Sequence, residues 1–314
     1  MMKIFSPIIG AALLSCFIVT AASAEPKWNP AHDDGLQKLL DSAVEKTFTQ
    51  FPTLKKDELA STLIDLRHPE KPVIASFHGD AQIYPASVIK LFYLVAAHRW
   101  MEDKKIKDTP ELRKNMREMI VDSSNVATHY IIDDITGTTS GPELSEKEIA
   151  EWWDKRNAVT KYFTTLGYTN INASKKPWDD VPSEGREVQA IKLFEPKRNW
   201  LNTDATARLM TEIVTGQAVT VERCRQMMEL LHRDPFNQAT NANGQAKGFT
   251  GLAVSPGTKL WSKAGWTTET RHDCAYLELP NGAHFVLVTF TQNHADEHGI
   301  IPAVAKTVIA GMEK

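Results

Sequence analysis

A serine and a lysine three residues apart are the pair in this sequence best suited to nucleophilic chemistry: Ser87 and Lys90, in the run Tyr84-Pro85-Ala86-Ser87-Val88-Ile89-Lys90. On a helix this spacing puts both side chains on one face. Leu91-Phe92-Tyr93-Leu94-Val95 follow directly, so the helix is apolar nearly all round, which implies burial. Desolvation disfavours a buried ammonium, and a neutral amine can take the proton of a serine hydroxyl. A serine at the start of such a helix also meets free N–H groups and the positive end of the dipole, which favour a developing anion. The Ser-x-x-Lys pattern occurs once in the chain.

Two further clusters carry suitable groups. Asp122-Ser123-Ser124-Asn125 falls between two helical segments. From such a junction Ser123 could relay a proton from Lys90 to a leaving nitrogen, and Asn125 could hold a substrate amide. Taken alone, the cluster reads as a helix cap, the commonest use of Ser and Asn. Trp261-Ser262-Lys263-Ala264-Gly265-Trp266-Thr267 falls at the end of a strand. Lys263 would present a fixed cation to a cleft there, and Gly265 would let the backbone approach a ligand closely.

The elements that must position these groups follow from hydrophobic period. Apolar spacing predicts helices over 36–49, 87–101, 110–120, 126–134, 146–166, 203–214, 221–231 and 303–312. Strands are predicted over 62–66, 73–77, 259–263, 274–279 and 284–291, the last two joined by a turn at Pro280-Asn281-Gly282. Residues 167–202 are polar and carry Pro177, Pro182, Pro196 and Gly185, which predicts a long irregular loop, usually a functional one. Strands at both ends with helices between imply an α+β fold. Its antiparallel sheet comes from the N- and C-terminal segments, flanked by terminal helices, with an all-helical insertion over about 87–250.

Composition bounds the function. With 42% hydrophobic and 24% charged residues, the chain can bury a sizeable core. The net charge of -3 and the lack of a basic face exclude a nucleic-acid partner. Lys3, the apolar run 8–21 and Ala22-Ser23-Ala24 predict a cleaved signal peptide over 1–24 and an exported mature domain over 25–314. The run is too short for a stable membrane anchor. Leu14-Ser15-Cys16 only weakly resembles a lipid-attachment site, since more apolar sequence follows. Cys224 and Cys274 would remain after cleavage; export permits a disulfide, and two buried thiols are the simpler expectation. No cysteine or histidine spacing suggests a metal, and no cofactor is implied.

The order Ser-x-x-Lys, Ser-x-Asn, Lys-x-Gly resembles the signature set of class A β-lactamases and penicillin-binding proteins. The resemblance extends over about 63–291 and includes the helix ending in Ile213-Val214-Thr215-Gly216. It implies an acylated nucleophile at Ser87, a general base at Lys90, a proton shuttle at Ser123, a substrate contact at Asn125 and an electrostatic anchor at Lys263. The backbone N–H groups of Ser87 and Trp266 would form the oxyanion hole, with Gly265 between anchor and hole. The resemblance implies first a class A β-lactamase, acting as a monomer; the alternatives are a D-alanyl-D-alanine peptidase acting on peptidoglycan stem peptides and, of another class, a non-catalytic β-lactam or peptidoglycan binding domain.

Three departures from the pattern matter. Ser124 stands where many relatives have Asp. Ala264 stands where they have Thr or Ser, which removes a hydroxyl for a substrate carboxylate; Arg271 could supply a replacement cation, or be a solvated surface arginine. A β-lactamase also needs a carboxylate that activates the deacylating water. Glu195-Pro196-Lys197-Arg198-Asn199 resembles the family's Glu-Pro-x-x-Asn pattern, which makes Glu195 the first candidate, but it lies 72 residues after Ser123, beyond the usual interval. An insertion over 172–189 would explain the offset. Asp179, Asp180, Glu184 and Glu187 are its rivals.

Overall fold

The computed structural model describes residues 28–178, 184–237 and 244–314; the predicted signal peptide, Asp179 and Asp180 lie outside the described residues. The chain opens with a short strand β1 (Ala31–His32) and helix α1 (Asp34–Gln50), started by Asp33, whose carboxylate accepts the Leu36 N–H at 2.7 Å. Strands β2 (Leu59–Asp65) and β3 (Val73–Phe77) follow. Then come α2 (Lys90–Glu102), α3 (Pro110–Ile120), α4 (Asn125–Thr136), α5 (Glu146–Arg156), α6 (Ala158–Thr165), α7 (Gly185–Leu193), α8 (Thr203–Val214) and α9 (Val221–Leu231). Strands β4 (His232–Arg233), β5 (Lys259–Trp266), β6 (Thr270–Glu278) and β7 (His284–Gln292) and helix α10 (Ile300–Met312) complete it.

The seven strands form one sheet in the order β1-β3-β2-β7-β6-β5-β4. All neighbours are antiparallel except β1 and β3. The central strands are buried on both sides, and their period of two sorts them between two cores. Leu59 and Leu63 of β2 and Phe285 and Leu287 of β7 face α1 and α10. Ala60, Ile64, Val286, Val288 and Phe290 face the helical half with α2. Between these cores, Ser61 Oγ donates to the Val288 carbonyl at 2.9 Å and Thr62 Oγ1 to Asp204 at 2.6 Å, so the polar groups of β2 are satisfied where they are buried.

The chain thus has the mixed sheet, flanking helices and helical insertion of a β-lactamase/transpeptidase fold. Helix α8 lies in the inserted half of the sequence yet packs on β2, β6 and β7, so the sheet face and the helical half share one core.

Three predicted elements differ from what is observed. The helix predicted over 146–166 is two, α5 and α6, broken at Asn157, whose side chain donates back to the Trp153 carbonyl at 2.8 Å and competes with the helix. The loop predicted over 167–202 contains α7, hidden in sequence by its flanking prolines and held by Ala190 against Ile149 and Trp152. The helix predicted from Ser87 begins at Lys90; Ser87 belongs to a preceding 3-10 turn, Ala86–Ile89.

Candidate active site

Helix α2 runs through the middle of the larger core, with Leu91 to Ala97 all buried. Its first residue, Lys90, is carried into that apolar setting, and burial pulls its amine down to about 7. Lys90 Nζ lies 2.9 Å from Ser87 Oγ, 2.6 Å from the Ser123 carbonyl and 2.7 Å from Asn125 Oδ1. A neutral amine has two N–H donors and one lone pair. The carbonyl and the amide oxygen can only accept, so they take both donors, and the lone pair faces the Ser87 hydroxyl. That is the arrangement of a general base poised on its nucleophile.

The turns that supply Ser87 and Ser123 are strained. Ala86 has φ 44° and Ser123 has φ 57°, both left-handed. For a residue with a Cβ this conformation costs about 1–2 kcal/mol, and such strain clusters where side chains must be aimed. The second motif also uses its cap: Ser124 accepts the Ala127 N–H at 3.1 Å and starts α4, placing Ser123 just ahead of the helix and Asn125 on its first turn.

Strand β5 closes the other side. A Cβ on Gly265 would lie 2.7 Å from the Ser87 nitrogen and 2.8 Å from the Pro85 carbonyl, so glycine is what lets the strand touch the nucleophile turn. Lys263 is buried and donates to Ser123 Oγ at 2.9 Å, Gln245 Oε1 at 2.7 Å and the Ala264 carbonyl at 2.7 Å. Burial pushes its pKa far down, neighbouring Lys90 and Arg233 push the same way, and Asp273 opposes them. Ser123 Oγ accepts from Lys263 at 2.9 Å and lies 3.3 Å from Lys90, whose two N–H donors are already taken, so the Ser123 hydroxyl sits within reach of both amines.

The structure therefore brings Ser87, Lys90, Ser123, Asn125, Lys263 and Gly265 together. Trp266, which ends β5, is half-exposed beside Phe249. Asn125 spends both ends of its amide, on Lys90 and on the Trp178 carbonyl.

Arg271 stands opposite Trp266 in the β5–β6 register, at the strand end; it is buried rather than solvated, with its guanidinium 4.0 Å over the Phe249 ring and donating to the Gly248 carbonyl. Glu195 is exposed and pairs with Lys197 at 3.4 Å, and Lys90 is not among its partners. Asn199 of the same pattern is a loop staple, accepting the Ser174 and Lys175 N–H groups at 3.0 and 2.9 Å. Glu184 is exposed at the start of α7. Glu187 is buried against Arg156 at 2.8 Å. Cys224 and Cys274 are free, buried thiols.

Two site residues escaped the sequence reading. Gln245 is a single glutamine in a polar stretch with no pattern around it. Arg233, on the edge strand β4, donates to the Ile120 carbonyl at 3.0 Å, and no motif marks it.

Comparison with known proteins agrees with this architecture. Among solved structures, a β-lactamase from Sphaerobacter thermophilus DSM 20745 superposes with a TM-score of 0.61 at 17% identity, over 88% of this chain and 97% of that one. A PBP-A mutant in acyl-enzyme complex with penicillin G gives 0.62 at 16% identity, over 90% and 98%. A class A β-lactamase representative from Bacteroides cellulosilyticus DSM 14838 gives 0.62 at 12% identity, over 88% and 98%. At such identities the likeness is one of fold. No curated protein matches the sequence. The model of the Beta-lactamase enzyme family matches residues 99–311, a span that holds Ser123, Asn125 and Lys263 and begins after Ser87 and Lys90. With two thirds of its length matched and the serine β-lactamase and penicillin-binding protein fold throughout, the chain belongs to the Beta-lactamase enzyme family.

Proposed function

We propose that the protein is a serine hydrolase of the class A β-lactamase type, which opens the β-lactam amide through an acyl-enzyme at Ser87. The observation that carries this reading is the Lys90 amine, lowered to about 7 and 2.9 Å from Ser87 Oγ with its other contacts on acceptors. Lys90 takes the hydroxyl proton as Ser87 Oγ bonds to the amide carbon. The negative charge moves to the carbonyl oxygen, between the N–H groups of Ser87 and Trp266. The intermediate collapses, the C–N bond breaks, and the nitrogen takes the Ser123 proton, which Lys90 replaces. Lys263 is the cation for a substrate carboxylate. Arg271, opposite Trp266 on β6 and held on Gly248 and Phe249, is the candidate for a second cation there.

Water must then open the ester. Glu195 points to solvent, whereas the Trp178 carbonyl is bonded to Asn125, and Asp179 is the next residue in the chain. The deacylating carboxylate is sought at Glu195, with Asp179 and Asp180 as its rivals. The exposed position of Glu195 also favours a second reading, a D-alanyl-D-alanine peptidase that acylates well and turns β-lactams over slowly. Both readings place a monomer outside the cytoplasm after removal of residues 1–24, acting on a small β-lactam or a peptidoglycan stem peptide. Among the described residues no helix is long and apolar enough to cross a membrane.

Intact mass after penicillin treatment should rise by one ligand in the parent and not in Ser87→Ala; labelling that survives this change rejects the nucleophile. Single-turnover kinetics with a chromogenic cephalosporin separate the two readings. Steady turnover in the parent supports the β-lactamase, and its collapse to a burst in Glu195→Gln, Asp179→Asn or Asp180→Asn identifies the deacylating carboxylate. A parent that stalls after one burst supports the peptidase.

A further inference from the structure

Lys263 is an ammonium site with no carboxylate among its three acceptors. One acceptor is a motif hydroxyl and one is the backbone of its own strand. The third, Gln245 Oε1, comes from outside every motif and makes a second contact with β5 through the Ala264 N–H at 3.3 Å. The other end of the same amide crosses the molecule. Gln245 Nε2 donates to the Ile120 and Val121 carbonyls at 3.2 and 2.9 Å, at the end of α3. The turn that begins there carries Ser123. A single buried side chain therefore spans the two walls of the cleft, strand β5 and the α3–α4 turn, next to the Lys263–Ser123 contact.

We infer that Gln245 is a positioning residue: it holds Lys263 Nζ on Ser123 Oγ and, as a neutral acceptor, leaves the charge of Lys263 adjustable. The inference rests on the acyl-enzyme reading for its catalytic meaning. The charged groups that face Lys263 are Lys90 on α2, Arg233 on β4 and Asp273 on β6. Lys90 and Arg233 oppose a charged Lys263, and Asp273 favours one. The Asp273 carboxylate accepts the Thr250 N–H at 3.1 Å. The amide thus supplies orientation without adding a negative charge. A carboxylate at 245 would fix Lys263 as an ammonium and oppose loss of charge at Lys90; a hydrocarbon would remove an acceptor and favour the free amine.

The test uses the mature protein with ¹³C-labelled lysine side chains, the Lys263 signal being assigned by its loss in Lys263→Arg. Its midpoint is followed with pH in the parent, Gln245→Glu and Gln245→Leu. Gln245→Glu should raise the midpoint by about 1–3 units, the usual effect of an opposite charge within reach, and Gln245→Leu should lower it. The pH profile of penicillin acylation should follow: its acid limb moves up in Gln245→Glu, and its alkaline limb moves down in Gln245→Leu. A Lys263 midpoint unchanged in Gln245→Glu overturns the inference, whatever the acylation rates. If Gln245→Leu does not fold, Gln245→Glu decides alone, since it keeps the size of the side chain. If the parent takes no penicillin while the Lys263 midpoint moves as expected, the hold on Lys263 stands and the acyl-enzyme reading fails.

Discussion

In the proposed mechanism the lysine beside Ser87 sets the pH behaviour of the first step. With the neutral Lys90 amine as base and burial holding it at about 7, acylation should rise with pH through that value and flatten above it. Lys90→Ala should slow acylation about 10²–10⁴-fold with a much smaller effect on initial binding, as stopped-flow fluorescence with a labelled penicillin would show. Equal rates in variant and parent at pH 7 would contradict the assignment. Gly265→Ala tests the strand contact. Its new Cβ would meet the Ser87 nitrogen at 2.7 Å, so the strand must move off the turn and acylation must fall even if the fold survives. The motif residues were legible in the sequence because spacing alone puts Ser87 and Lys90 on one face. Gln245 was not, because its contacts with Lys263 and Val121 join residues 18 and 124 positions away.

Helix α7 shows what a hidden element contributes. Arg156 on α5 is fully buried, and Glu187 on α7 is its near partner, with Asp133 at 3.3 Å and Lys176 alongside. Removing one member of a buried pair strands the other's charge, at a cost of about 3–5 kcal/mol. Glu187→Ala should lower the unfolding free energy by an amount near that range in urea titration. A change under about 1 kcal/mol would mean that Asp133 alone suffices to neutralise Arg156. Five of the seven strands and most helices could be read from apolar period; the two-residue β1 and β4 are too short to show one. The α5–α6 break could not, since it depends on one Asn157 side chain turning back on Trp153. Nor could α7, whose buried residues Glu187 and Ala190 are set by Arg156, Ile149 and Trp152 across from them. Glu-Pro-x-x-Asn is a local pattern too: Asn199 staples the loop, while Glu195 is exposed and pairs with Lys197.

For the molecule as a whole, two buried histidines govern stability in acid. His98 has both ring nitrogens buried without a partner, and burial pulls its pKa to about 4. His272 beneath the nucleophile turn pairs Nε2 with the Tyr84 carbonyl at 2.8 Å and Nδ1 with the Thr291 N–H at 3.2 Å, so only the neutral ring fits. Burial holds it at about 4 as well. Below about 6.5 the unfolded chain binds protons that the folded one refuses. The contribution of these two rings is therefore complete above that pH, declines as pH falls toward 4, and levels off beneath it, with on the order of 3 kcal/mol lost for each ring. Urea midpoints measured from pH 7.5 to 4 should show this slope, and His98→Leu should remove about half of it. Coincident midpoints at pH 7.5 and 5 would rule it out.

The sheet that joins the two ends of the chain also sets a timetable. Ser61 and Thr289 share a hydrogen bond across 228 positions, and β7 sits between β2 and β6. During synthesis Ser87 and Lys90 emerge early, but β5, which brings Lys263 and Gly265, comes near the end, and the strand that seats it comes later still. Pairings so distant in sequence form slowly. The nascent chain therefore carries the proposed nucleophile long before it has a cleft, and the proposed reactivity would be withheld until the last strand arrives.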